Sequence, residues 1–284
     1  MERPALQDEA FLSDVASTRR NPEGCRLWWL GQSGFLIQWR GHHLLIDPYL
    51  SDSLTEKYAG TDKPHVRLTE RVVDPRRLEF IEVVTSSHNH TDHLDAATLN
   101  PLRDANPDLR LIIPEANREF AAQRLGCDPR WPVGIDDGTS TTIGVWTLHG
   151  IASAHETVEQ DDQGRCKYLG YVIEFGPYRV YHSGDCRPYE GLVERLRPFG
   201  LDVALLPING TLPERRVAGN FWGREAADLA KTADVRCAVP CHYGMFEFNT
   251  VTADEFVAAC VELEQPHVVL QQGEALTIRK NEPD

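Results

Sequence analysis

Within one short stretch, Ser86-Ser87-His88-Asn89-His90-Thr91-Asp92-His93, the chain places three imidazoles and a carboxylate. The run just before it, Phe80-Ile81-Glu82-Val83-Val84, is rich in β-branched residues and predicts a buried strand. The cluster therefore belongs at a strand's carboxyl end, where the backbone leaves the sheet. Neutral imidazole and carboxylate are ligands for borderline transition metals at neutral pH. Alternate positions of an extended turn can aim His88 and His90 at one ion. A kink through Asp92 and His93 then offers a second set beside the first. A solvated histidine run is the competing explanation. The cluster's internal position behind a strand, and the acid among its histidines, weigh against it.

The spacing His88-x-His90-x-Asp92-His93 matches the metal-binding signature of the metallo-β-lactamase superfamily. Further segments resemble its L-ascorbate-6-phosphate lactonase-like branch: Trp29-Leu30-Gly31-Gln32-Ser33-Gly34-Phe35, Leu45-Ile46-Asp47-Pro48-Tyr49-Leu50, His182-Ser183-Gly184-Asp185, Leu206-Pro207-Ile208-Asn209-Gly210 and His242-Tyr243-Gly244-Met245-Phe246. They follow the family's order from about residue 26 to 276. Asn89 and Thr91 stand where that branch often has aspartate and proline, and neither is a ligand position. The resemblance implies one ion at His88, His90 and His155, another at Asp92, His93 and His242, and Asp185 shared between them. His149 competes with His155. A polar loop following and the family's small residue preceding the ligand favour His155. The resemblance also puts Asp47 beneath the ligands as an orienting carboxylate, against the simpler role of capping the turn before Pro48.

The 284 residues suffice for one large α/β domain or two small ones. We take residues 1–25 as an N-terminal extension and 26–280 as a single hydrolase-like domain. Ala5 to Ala16 reads as a short helix and Asn21-Pro22-Glu23-Gly24 as a turn. Arg26–Leu30, Phe35–Trp39 and His43–Ile46 read as an antiparallel meander. Tyr49 to Val73 is a long polar loop, read as a wall over the site. Tyr49 and Lys57 are its candidate substrate contacts, and His65 has no assigned part.

Beyond the cluster, Asp95–Leu102 reads as a helix, Leu109–Ile113 as a strand and Pro114–Arg124 as a helix stopped by Gly126. Thr139–Leu148 alternates like one strand. Tyr168–Phe175 and Tyr178–His182 form a hairpin, with His182 supporting the turn that carries Asp185 or meeting the substrate. Tyr189–Leu196, Gly223–Ala233 and Thr252–Leu263 are helices, Val203–Leu206 and Cys237–Pro240 strands, and two short strands end the chain. Asn209 to Trp222 is an irregular loop with Arg215 and Arg216. A meander followed by α/β alternation, occurring twice, predicts an αββα sandwich: two β-sheets flanked by helices.

The charge of −14, from 43 acids against 29 bases, repels nucleic acid and anionic lipid at long range. No apolar run approaches the ~20 residues that span a bilayer, and no signal segment is visible. These features place the chain in the cytoplasm. Seven scattered cysteines do not form a disulfide framework. A histidine and carboxylate donor set without thiolate suits zinc, manganese or iron; the resemblance implies two divalent ions, Mn2+ as in the lactonase-like branch or Zn2+ as is common in the superfamily. Ions ~3.5–4 Å apart can hold a bridging water and bring its pKa towards neutrality. Asp92 and Asp185 are the catalytic carboxylates, Asp92 accepting and returning the proton, and Tyr243 or Asn209 are candidate oxyanion donors. The expected protein is a dinuclear metal-dependent hydrolase opening a small, anionic lactone or ester, such as a phosphorylated sugar lactone. A phosphodiesterase or nuclease of the same superfamily and a catalytically silent metal-binding protein are the alternatives. A homo-oligomer stays open.

Overall fold

Strands that are apolar at every position need cover on both faces, and this chain has several. The computed structural model describes residues 1–19, 24–217 and 219–280, so the turn expected at Asn21-Pro22-Glu23 lies outside the described residues. The strands in chain order are β1 (Cys25–Gly31), β2 (Gly34–Trp39), β3 (His42–Ile46), β4 (Val83–Thr85), β5 (Arg110–Pro114), β6 (Val133–Ile135) and β7 (Ser140–Ile143). They continue with β8 (Trp146–Ala152), β9 (Leu169–Phe175), β10 (Tyr178–His182), β11 (Val203–Pro207), β12 (Ala238–Cys241) and β13 (Ala275–Ile278). One sheet has seven strands in the order β13-β1-β2-β3-β4-β5-β6, and the other has six in the order β12-β11-β10-β9-β8-β7.

Each sheet starts as a meander and ends parallel. β1, β2 and β3 pair antiparallel, while β3 through β6 pair parallel. β7 through β10 are antiparallel, and β10, β11 and β12 parallel. The helices are α1 (Asp8–Thr18), α2 (Ser53–Tyr58), α3 (Ala96–Ala105), α4 (Arg118–Leu125), α5 (Leu192–Leu196), α6 (Gly223–Thr232) and α7 (Asp254–Glu262). The result is the αββα sandwich read from the sequence.

The period-2 alternation of strands divides the apolar residues into layers. Leu27, Phe35, Ile37 and Leu44 face Trp146, Tyr171, Val203 and Leu205 between the sheets. Their neighbours Trp28, Leu36 and Leu45 point the other way and meet Phe11 of α1 and Leu99 and Leu102 of α3. Across the second sheet, Ala204 and Leu206 meet Ala226 and Ala230 of α6 and Phe256 of α7. The N-terminal helix is part of this packing: Phe11 meets Trp28 edge-on at 6.3 Å, and Asp14 accepts from Arg26 and from Trp28 Nε1.

Several local expectations differ from the structure. The alternating run 139–148 is a hairpin, β7 and β8, turned at Gly144 with φ of 58°; both arms alternate, so periodicity alone did not show the turn. α3 continues through Pro101 to Ala105. Pro114 ends β5, and α4 begins only at Arg118 after a 3-10 turn over Glu115–Asn117. The helix read at Tyr189–Leu196 is the short α5. In α7 the cap position is Ala253, and the Thr252 hydroxyl bonds the Asp254 side chain instead. Among the described residues one strand, β13, closes the fold where two were expected; His267 makes an isolated bridge with Ala238. β6 was not anticipated, and the polar loop after Asp47 contains α2.

Phe35 is fully buried between the sheets. Phe35→Ala is expected to cost about 3–5 kcal/mol of stability. Denaturant unfolding measures it, and a loss below about 1 kcal/mol would contradict this layer assignment.

Candidate metal centre

Six strands deliver polar residues from their carboxyl ends. Gln32 follows β1, Asp47 follows β3, the histidine cluster follows β4, His155 follows β8, Asp185 follows β10 and His242 follows β12. The backbone is unusual at these exits. Gln32, Asp47 and His242 have φ of 50°, 37° and 60°, in the left-handed region that non-glycine residues seldom occupy. Gly184 has φ of 60°, and a Cβ there would lie 2.7 Å from the Ser87 Cβ. Glycine is therefore required for the chain to pass Ser87 and present Asp185. The two sheets are tied together at the same edge: Leu169 N donates to Ser87 O at 3.0 Å and the Tyr171 hydroxyl to Ser86 O at 2.9 Å.

Two groups of side chains could each hold a metal ion. One comprises His88, His90, His155 and Asp185, the other Asp92, His93 and His242, with potential ligand atoms within 4.8 Å of one another in each. Asp185 also faces the second group. Its Oδ1 is 3.3 Å from His93 Nε2, and its Oδ2 is 3.3 Å from His242 Nε2 and 3.5 Å from His155 Nε2. His242 Nε2 lies 3.2 Å from Asp92 Oδ2.

The donor atoms fit divalent cations. His88 Nε2, His93 Nε2 and Asp185 Oδ1 are buried and make no hydrogen bond; the 3.3 Å approach of the last two lacks hydrogen-bond geometry. The opposite ring nitrogens are engaged. His93 Nδ1 bonds Asp47 Oδ2 at 2.7 Å, and His155 Nδ1 bonds the Gly219 carbonyl at 2.9 Å. Such bonds fix the tautomer and leave the Nε2 lone pair for a cation. Asp47 is itself held by the hydroxyls of Thr85 and Ser87 and the Ser87 N–H.

The electrostatics agree. Burial alone would raise Asp92, but His93 and His242 hold it well below the usual carboxylate range. Asp185 behaves the same way, with burial outweighed by His242 and His93. Burial would lower His93 and His242, yet Asp185 and Asp92 raise His93 well above the histidine range and His242 to about 9. His88 and His90, further from the acids, follow burial, His90 falling to about 4. The field at this edge favours positive charge, as protons or as metal cations.

The centre forms the floor of a cavity of about 540 Å³, lined also by Gln32, Lys57, Phe120, Arg124, Arg216 and Phe246. Placement of the remaining candidates is mixed. His182 is buried, bonded to Ser33 O and to Gly184 N, so it braces the Asp185 turn. Tyr49, expected as a substrate contact, is fully buried and its hydroxyl accepts from Leu54 N; it supports α2 and does not reach the cavity. Asn209, expected as an oxyanion donor, is buried and spends its amide on Asn249 and its carbonyl on Asn220. Tyr243, the other expected donor, stacks on Trp29 at 5.1 Å, away from the cavity lining. His149, in the middle of β8, pairs with Glu174 of β9 and is not part of the centre. Lys57 does line the cavity, as does His65, which had been given no part.

Gln32 was missed. Its amide donates to Asp92 Oδ2 at 3.0 Å and its carbonyl accepts from His242 N at 2.9 Å. The signal was its place in the Gly-Gln-Ser-Gly turn ending a strand. Tyr168 was missed too; its ring packs on His88, His90 and His155 at 5.2, 6.1 and 5.6 Å.

Asp47→Ala removes the acceptor of His93 Nδ1. Metal affinity is expected to fall about 10–100-fold, measured by competition with a chromogenic chelator. Unchanged affinity would mean that Asp47 does not orient the ligands.

A model of the beta-lactamase superfamily domain matches residues 42–243. A UPF0173 metal-dependent hydrolase of Rubrobacter xylanophilus is 29% identical over 265 residues, 89% of this chain and 96% of that one. N-acyl-phosphatidylethanolamine-hydrolyzing phospholipase D 1 of Caenorhabditis elegans is 24% identical, over 78% of this chain and 64% of that protein. Among solved structures, an isothiocyanate hydrolase from Delia radicum gut bacteria superposes with a TM-score of 0.71 at 18% identity, covering 90% of this chain and 100% of that one. The family match covers most of the chain and includes most of the side chains that converge at the sheet edge, and the chain belongs to the metallo-β-lactamase superfamily.

Proposed function

We propose that the protein is a metal-dependent hydrolase whose substrate is a small, negatively charged lactone or ester, as in the ascorbate-6-phosphate lactonase-like branch. The observation that carries this reading is the convergence of unpartnered, buried donor atoms on His88, His93 and Asp185 beside an open cavity that His90, Asp92, His155, Asp185 and His242 line. Relatives named as metal-dependent hydrolases support it. In this reading His88, His90 and His155 would hold one divalent ion and Asp92, His93 and His242 another, and Asp185 would be available to both. Nitrogen and oxygen donors without thiolate suit Mn2+ or Zn2+.

Ions bound there supply a more acidic water and stabilise charge growing on a carbonyl oxygen. The chain does the rest. Gln32 donates to Asp92 Oδ2, which fixes the carboxylate where it can take and return a proton. Asp47 and Gly219 lock His93 and His155 in one tautomer, and His182 braces the turn under Asp185. Asn209 and Tyr243 have no part in this scheme, because neither lines the cavity.

A phosphodiester substrate is the second reading, favoured by the likeness to the nematode phospholipase D. A panel of lactones, carboxylic esters and phosphodiesters, tested with protein loaded with Mn2+ or Zn2+, separates the two. Turnover is expected on lactones or esters, lost on chelation and regained with metal. Turnover confined to phosphodiesters would replace the first reading with the second, and none on any substrate would point to a silent metal-binding protein. In the same assay, His90→Ala is expected to lower bound metal and reduce turnover by at least about 100-fold. Full metal content and activity in that variant would remove His90 from the centre.

A further inference from the structure

The positively charged side chains around the cavity fall into two kinds. Arg216 is paired with Asp62, and Lys63 donates to the Arg216 carbonyl at 2.7 Å. These residues latch the loop after α2 to the loop after β11. Lys57 and Arg124 are different, because neither meets a carboxylate within ion-pair distance among the described residues. Lys57 is exposed on α2, lies over the Tyr58 ring at 5.1 Å, and has one long contact, 3.4 Å to the Thr91 hydroxyl. Arg124, at the end of α4, uses Nη1 on the Asn89 and Leu94 carbonyls, at 2.5 and 3.3 Å, and lies over the Phe120 ring at 4.5 Å. Its Nε and Nη2 donors have no partner among the described residues, although a guanidinium offers five N–H groups. Asp95 acts on Arg124 through space, but its oxygens accept from Ser51, Ser53 and Thr98.

Both cations therefore rest on the same short segment, Asn89-His90-Thr91, one at each non-ligand residue flanking His90. The cavity lining contains no carboxylate besides Asp92 and Asp185. An acid at position 89 could neutralise Arg124, and a proline at 91 would have no hydroxyl for Lys57. In a chain of net charge −14, two uncompensated cations beside His90 make a local anion site.

We infer that Lys57 and Arg124 bind an anionic group of the substrate, a carboxylate or a phosphate separate from the bond that is broken, above the Asn89–Thr91 segment. This inference rests on the hydrolase reading above and names the substrate class: an ester or lactone with a second, charged end. Lys57 supplies a mobile point charge and Arg124 a fixed planar donor pair. The faces of Tyr58 and Phe120 stack under these cations, and the cations keep donors for the anion.

The test is titration calorimetry of the metal-loaded protein with inorganic phosphate and with acetate, in wild type and in Lys57→Met, Lys57→Arg and Arg124→Lys variants. Lys57→Met is expected to weaken the preferred anion about tenfold, with Lys57→Arg restoring most of the affinity. Arg124→Lys keeps the charge but loses the planar donors, and a weakening of about threefold or more is expected. A preference for phosphate or for acetate identifies the anion. In parallel, the ratio of kcat/KM for 4-nitrophenyl hemisuccinate over 4-nitrophenyl acetate is expected to fall about tenfold in Lys57→Met. Anion affinity that tracks both side chains, with neither ester hydrolysed, would keep the site and remove the hydrolase reading. Anion affinity equal in wild type and all variants would overturn the site, whether or not the esters react.

Discussion

Two carboxylates, Asp47 and Asp185, are drawn out of water at one edge of the two sheets, a third, Asp92, is partly so at the cavity floor, and their charge must be answered by something nearby. A buried, unpaired carboxylate is too costly to persist. Asp47 is answered within the protein, by two hydroxyls, a backbone N–H and the His93 ring. Asp92 and Asp185 are aimed instead at Nε2 atoms of His93, His155 and His242, at 3.2–3.7 Å. Four of these approaches join the acids to the His93 and His242 rings, whose protons are kept there by the acids themselves. A pair of divalent cations among the donors would answer the same charges. The left-handed backbone at Gln32, Asp47 and His242 is consistent with that demand, since strain of this kind persists where a site requires it.

The site is divided between the sheets. His88, His90, Asp92 and His93 leave the seven-stranded sheet, while His155, Asp185 and His242 leave the six-stranded one. Neither half is a complete ligand set. The apolar layer of Phe35, Tyr171 and Leu205 between the sheets therefore does more than stabilise the fold, because it sets the separation of the two halves. The Tyr171–Ser86 and Leu169–Ser87 hydrogen bonds fix that separation at the site itself. Binding of ions that bridge the halves should feed back on stability, as any ligand of the folded state does.

Much of this was legible in the sequence because the relevant signals are local. The β-branched run before the cluster placed it at a strand end, and Gly184 marked the sharp turn before Asp185. The meander-then-parallel pattern, repeated, gave the sandwich. What was not legible is long-range. Gln32 reaches Asp92 across sixty residues of sequence, and Tyr168 packs on histidines supplied by three separate positions. Tyr49 and Asn209 are polar residues in loops beside the site, and only burial shows that their polar groups are used inside the protein. The hairpin at Gly144 was hidden because both arms carry the same alternation as one long strand. The helix expected to end at Leu102, just after Pro101, runs on to Ala105.

The central claim is that side chains from both sheets together hold a pair of cations. A crystal structure of the metal-loaded protein, with anomalous scattering collected at the metal edge, tests it most directly. The account predicts two anomalous peaks per chain, one among His88, His90 and His155, the other among Asp92, His93 and His242, with Asp185 touching both. No anomalous peak at this edge, with these imidazoles and carboxylates turned apart, would contradict it.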